Sequence, residues 1–221
     1  MINHIYNQSQ FGEVWFNYPN LYKSMVNKFP SGSKFVEIGS WKGMSSAYMA
    51  VELANSGKNI DFYCVDTWEG SIEHKQYGID TSNLYDTFLD NMTPVQKYYK
   101  AIRARSLQAV KQFEDKSLDF IFIDASHEYE DVREDIIAWL PKLKEGGVIA
   151  GHDYINDDFP GVKKAVHEIL PTIDVIDTCW VYDTSKLNSK SDSKVFIVTP
   201  SRRPFNLGFI KQTIPQECEW V

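Results

Sequence analysis

Four short stretches of this 221-residue chain carry acids or imidazoles at positions where a fold could gather them. The first is Glu37-Ile38-Gly39-Ser40-Trp41-Lys42-Gly43, with an acid two residues ahead of the first of two glycines. Glycines permit a tight turn and close approach of a bound ligand, because they carry no Cβ. Glu37 selects among ligands: an adjacent carboxylate repels a pyrophosphate and suits a cationic end. The second stretch is Asp66-Thr67-Trp68, whose acid lies 23 residues beyond Gly43. That is close to the spacing of roughly 20 residues at which a carboxylate meets a ribose diol. The third is Asp124-Ala125-Ser126-His127 and the fourth His152-Asp153. An imidazole titrates near ~6.5, so either histidine could take a proton from a hydroxyl at neutral pH. His127 as a base competes with a plainer reading, in which it caps the next helix or bonds Glu128 or Asp131. Asp124, Asp153 and His152 together could also hold a divalent ion. Two carboxylates with water suit Mg²⁺, and a nitrogen donor tilts the choice toward Mn²⁺, Fe²⁺ or Zn²⁺. Without an ion, Asp124 would orient the acceptor and His152 could take the proton itself.

The elements that must position these residues follow from hydrophobic pattern. Phe35, Val36 and Ile38 read as a short buried strand, and Met44 to Ser56 as the helix after the glycine turn, stopped by Gly57. Such a strand, turn and helix aim the helix's first backbone N–H groups above the strand end. Strands are expected at Ile60–Val65, Tyr98–Ile102, Leu118–Ile123, Val148–Gly151, Val175–Tyr182 and Lys194–Thr199. Helices are expected at 19–29, Thr81–Met92, after Ser106 as N-cap, across Val132–Leu140 and over Gly161–Leu170. Strands alternating with helices predict an α/β fold: one doubly wound, Rossmann-like domain with parallel central strands. In such sheets ligands bind beyond the carboxyl ends of the strands, where all four stretches would converge. The polar segment from Ser71 to Asp80, with His74, would cover a cofactor. Trp68 beside it either stacks on an aromatic ligand or anchors the loop. Residues 1–33 form an N-terminal helical segment ahead of the main domain, 34–221. Its stretch from Phe11 to Tyr18 would serve as a lid and equally as a subunit interface in a homo-oligomer.

Composition narrows the partners. A net charge of −7 disfavours a nucleic acid, which wants a basic face. No apolar run approaches the length of a membrane span, and the N-terminus lacks the basic start and apolar core of a signal peptide. Cys64, Cys179 and Cys218 are scattered, which suits small core residues in a reducing cytoplasm.

From about Lys34 to Leu170 the chain resembles the small class I methyltransferases that depend on S-adenosylmethionine (SAM). The likeness rests on the 37–43 stretch, Val65-Asp66-Thr67-Trp68-Glu69-Gly70, Phe122-Ile123-Asp124-Ala125-Ser126-His127-Glu128-Tyr129 and Gly146-Gly147-Val148-Ile149-Ala150-Gly151-His152-Asp153-Tyr154. It is similar to sugar and small-molecule O-methyltransferases, including catechol-type and cephalosporin-biosynthesis relatives. The resemblance implies a seven-stranded sheet with the last strand antiparallel. It implies that Glu37, Gly39 and Gly43 hold the methionine end of SAM, Asp66 the ribose, and Arg105 and Ser106 the adenine edge, with Ser40, Trp41, Thr67, Trp68 and Asp124 also beside the cofactor. His127, Asp124 and His152 would carry catalysis. Catechol-type enzymes have Asp-Asn where this chain has His152-Asp153, and a lysine where it has His127.

The expected function is methyl transfer from SAM to a hydroxyl of a small molecule or sugar. A nicotinamide-dependent reductase or epimerase is the alternative on a similar fold, but Gly-x-Gly-x-x-Gly and a well-placed Tyr-x-x-x-Lys are missing. A cofactor-binding protein without chemistry is a third reading. The polar cluster argues against it, since desolvating such groups together is costly without a use for them.

Overall fold

A computed structural model describes residues 1–71 and 78–186. Its seven strands form one sheet in the order β3-β2-β1-β4-β5-β7-β6: β1 Lys34–Ile38, β2 Asp61–Asp66, β3 Lys100–Arg103, β4 Leu118–Ile123, β5 Leu143–Gly151, β6 Asp174–Ile176 and β7 Cys179–Asp183. Strands β1 to β5 pair in parallel, and β7 runs antiparallel to both β5 and β6. The described helices are α1 Pro19–Lys28, α2 Met44–Ser56, α3 Leu84–Met92, α4 Ser106–Ala109, α5 Tyr129–Trp139 and α6 Pro160–Ile169.

Alternation along the central strands explains why both faces are covered. Phe35, Phe120 and Phe122 point into one apolar cluster with Leu21, Tyr22 and Val26 of α1 and Ala47, Ala50 and Val51 of α2. Val36, Ile38, Ile121 and Ile123 point the other way, onto Val132, Ile136 and Trp139 of α5 and Val162 and Val166 of α6. The near-continuous apolar run of β4 is what a strand buried on both faces requires.

Residues ahead of β1 are part of this core. Ile5, Phe11, Phe16 and Tyr18 are buried in the same cluster as Phe35 and Phe122. Cys64 and Cys179 are buried free thiols, and no described helix is long and apolar enough to cross a membrane.

The expected strand at 175–182 is corrected to a hairpin. Asp177 adopts a left-handed backbone (φ 54°) and turns β6 back into β7. That split brings the sheet to seven strands by residue 183. The strand expected at 194–199, and most of the covering segment around His74, lie outside the described residues.

Candidate active site

Register places the site. Ile38 sits opposite Val65 and Ile123, and Ile123 opposite Gly151, so the next residue of each strand emerges at one level. Those residues are Gly39, Asp66, Asp124 and His152. Backbone bonds carry the ladder one step further, from Gly39 N to Val65 O, Asp124 N to Ile38 O and His152 N to Ile123 O.

At the β4–β5 end the four polar groups form a connected cluster. Asp153 Oδ2 lies 3.0 Å from His127 Nε2 and 3.1 Å from His152 Nδ1. The Asn156 amide donates to Asp153 Oδ1 at 3.1 Å. Asp124 Oδ1 stands 3.6 Å from His152 Nδ1, beyond direct bonding. Burial alone would lower His152, yet the Asp124 charge and the bond to Asp153 outweigh it and raise the imidazole to about 10. Burial would raise Asp153, but the His127 and His152 donors hold its carboxyl well below the ordinary range. The same residue has a positive φ of 57°, a strained conformation that places its carboxylate between the two rings. Asp124, His152 and Asp153 each offer one ligand atom within 4.8 Å of the others.

The turn behind the rim is fastened from inside. Glu37 is 1% exposed, and its carboxylate accepts the hydroxyls of Tyr22 (2.7 Å), Ser40 (2.9 Å) and Ser46. Burial raises its pKa, and these hydroxyls offset only part of that. Asp66 accepts the backbone N–H of Ser40 and Trp41 on Oδ2, both at 2.9 Å, and of Trp68 on Oδ1 at 2.7 Å. Above this turn α2 starts at Gly43 with no side-chain cap on its first N–H groups.

A methyltransferase-domain family profile matches residues 36–154, more than half of the chain. The chain belongs to the class I SAM-dependent methyltransferase family. Membership supports SAM over nicotinamide as the cofactor. Solved structures, two of them described as O-methyltransferases, share the fold. The O-methyltransferase NovP superposes with a TM-score of 0.58 at 16% identity, over 76% of this chain and 79% of that one. Cofactor-bound Rv0187 from MTB gives 0.56 at 13% identity, over 81% and 86%. CalS11, a TDP-rhamnose 3'-O-methyltransferase of calicheamicin biosynthesis, gives 0.53 at 13% identity, over 75% and 76%. Among curated proteins, the uncharacterized y4gI of Sinorhizobium fredii is 28% identical over 120 residues, which are 54% of this chain. The matched part spans only 13% of that relative's length.

Against this frame several sequence expectations for the methyltransferase shift. Glu37 is sealed by hydroxyls and braces the turn. Asp66 accepts three backbone amides, so its carboxylate also braces the turn. Gly39 is required by the sheet: a Cβ there would stand 1.9 Å from Asp124 O. A side chain at Gly43 would meet Met92 and Phe88. Trp68 is an anchor, 1% exposed, packed on Tyr85 and Phe88 with its indole N–H donated to Trp41 O at 2.9 Å. Thr67 Oγ1 accepts Glu69 N, and its carbonyl accepts Arg103 Nε. Ser106 is not the N-cap; Arg105 holds that position, exposed at the β3 end. The Ser106 hydroxyl bonds Asp135 of α5 and accepts the Trp139 indole N–H instead.

No side chain caps the first turn of α5, whose N-cap is Glu128; the neighbouring Ser126 hydroxyl donates to Asp131 and accepts Glu128 N. His127 reaches Asp153 and stacks on Phe159 at 3.9 Å between ring centroids. Two residues escaped the sequence reading as site residues. Tyr18 donates its hydroxyl to Asp124 Oδ2 at 2.9 Å, and Asn17 Oδ1 meets His152 Nε2 at 3.0 Å. Their signal was positional: Asn17-Tyr18 precede Pro19, the fixed first residue of α1.

Proposed function

We propose that this methyltransferase moves the SAM methyl group to a hydroxyl of a small molecule or sugar. One observation supports this most: a histidine and a carboxylate, His127 and Asp153, bonded at 3.0 Å on the rim beside Asp124. Nitrogen nucleophiles need little help losing a proton after attack, whereas a hydroxyl needs a base before or during it. The reaction forms a C–O bond and breaks the S–C bond of the sulfonium, with the proton leaving to the base. Bound SAM supplies the electrophilic methyl and a neutral leaving group. In neutral His127 the Asp153 carboxylate selects the tautomer with hydrogen on Nε2, so the lone pair lies on Nδ1. His152, held protonated between Asp124 and Asp153, has no lone pair to accept that proton. Asp124 then orients the acceptor oxygen, an alignment that supplies much of the rate in an in-line displacement.

A divalent cation fits the same donors. Asp124, His152 and Asp153 would hold it once His152 gave up its proton, and two oxygens with one nitrogen favour Mn²⁺ over Mg²⁺. Its chemistry would be to lower the acceptor hydroxyl's pKa and fix its direction.

The test is methyl-labelled SAM with a panel of phenols, sugars, nucleotide sugars and amines, followed by assignment of the methylated atom. Label on oxygen is the expected result, and label on nitrogen or carbon alone would overturn the reading.

A further inference from the structure

We infer that Asn17 and Tyr18 form a positioning element of the catalytic rim, Tyr18 acting through Asp124 and Asn17 through His152. The inference rests on the hydroxyl-methylation reading and adds to it residues from outside the matched family region, 36–154.

Tyr18 is 2% exposed, and its ring packs against Phe16, Tyr22, Phe122 and His152. A tyrosine used only for packing needs no acceptor on a catalytic carboxylate; phenylalanine would serve. Here the hydroxyl donates to Asp124 Oδ2, so it fixes that carboxylate's rotation and leaves Oδ1 turned toward His152. Burial, with Asp124 and Glu37 nearby, raises the phenol well above its ordinary value, so it serves as a donor and never as the base. Asn17 completes the arrangement from the next position. Its Oδ1 accepts the Thr178 hydroxyl and lies 3.0 Å from His152 Nε2. The ring of His152 is thereby held at both nitrogens, by Asp153 on one side and Asn17 on the other. The start of the chain and the β6–β7 hairpin meet on this imidazole.

The rim itself is tight. A small recess beside the rim is lined by Asp124, Ser126, His127 and His152. A carboxylate free to rotate in so small a space would change which oxygen meets an acceptor, and small misplacements at a reacting atom cost rate heavily. Positioning therefore appears in kcat more than in cofactor binding.

The experiment is a double-mutant cycle in the wild-type background, using the acceptor that the labelled-SAM panel identifies. Tyr18→Phe keeps the ring and removes one oxygen. It should lower kcat by about 10-fold or more, with SAM affinity and the thermal midpoint close to wild type. In an Asp124→Asn background the same change should cost no more than about twofold, because the partner is already altered. Asn17 is exposed, so Asn17→Ala tests the same element without a core change and should lower kcat several-fold. An additive cycle, or a Tyr18→Phe enzyme with wild-type kcat, would overturn the Tyr18 role while leaving hydroxyl methylation standing. Wild-type enzyme that labels no hydroxyl at all would overturn both.

Discussion

One oxygen of Asp153 is shared by two imidazoles, His127 Nε2 at 3.0 Å and His152 Nδ1 at 3.1 Å. Under the hydroxyl-methylation proposal the two rings take different roles: His152, which also faces Asp124, is raised to about 10, and His127 is the proposed base. His127→Gln should therefore lower turnover by on the order of 10²-fold, the lower range for general-base loss, with SAM affinity unchanged. Steady-state rates and calorimetry on the same preparation check this; a variant with wild-type kcat would pass the base's role to another group.

Stability should depend on pH through the same cluster. The folded His152 titrates at about 10, above its ordinary ~6.5, so folding favours its charged form. Its contribution is complete below about pH 6.5 and is lost as pH rises toward 10. Asp153 works in the opposite sense: its lowered pKa stabilises the fold above ~3.8, and that contribution goes as pH falls further. Thermal midpoints should fall between pH 7 and 10, by more in wild type than in His152→Gln. Equal slopes in the two proteins would remove His152 as the cause.

Gly39→Ala should unfold or severely weaken the protein, on the order of 4 kcal/mol or more. Its new Cβ would sit 1.9 Å from a backbone oxygen, at a φ of 90° that side chains avoid. Gly57→Ala makes the control, with φ 68° but nothing within 4 Å, so only the left-handed backbone costs, about 1 kcal/mol. Denaturant titrations of the pair separate a clash from backbone strain.

Asp66→Asn should destabilise the protein even without SAM, by about 1–3 kcal/mol, because an amide cannot accept three backbone N–H groups as the carboxylate does. A loss confined to SAM affinity would return Asp66 to the ribose role first expected for it.

These contrasts show what the sequence could reveal. Strand positions, strand ends and the convergence of Asp66, Asp124 and His152 were legible because apolar runs end abruptly in polar residues, and parallel register levels those ends. The direction of each side chain was not legible. Glu37, Asp66 and Trp68 sit in stretches that read as ligand-facing, yet each turns inward, since a tight turn exposes backbone N–H groups that something must satisfy. Ser126 and His127 are neighbours, and only packing decides that Ser126 meets Asp131 and Glu128 N while His127 meets Asp153. Tyr18 and Asn17 reach the rim across 106 and 135 residues of chain, a separation that no local pattern encodes.

The metal proposal gives the last prediction. A cation at Asp124, His152 and Asp153 must displace the proton that His152 carries near neutrality, so binding should release close to one proton per ion. Calorimetry of Mn²⁺ binding in buffers of different ionisation enthalpy measures that release without any acceptor present. Affinity should rise with pH between 7 and 9, since fewer protons compete for the ring. Asp153→Asn should weaken Mn²⁺ by tenfold or more, because it removes one charged ligand. Activity after exhaustive EDTA dialysis should then be low and return with Mn²⁺ more than with Mg²⁺. Proton-free binding, or full turnover in EDTA together with an active Asp153→Asn enzyme, would leave the imidazolium of His152 as the only cation this rim uses.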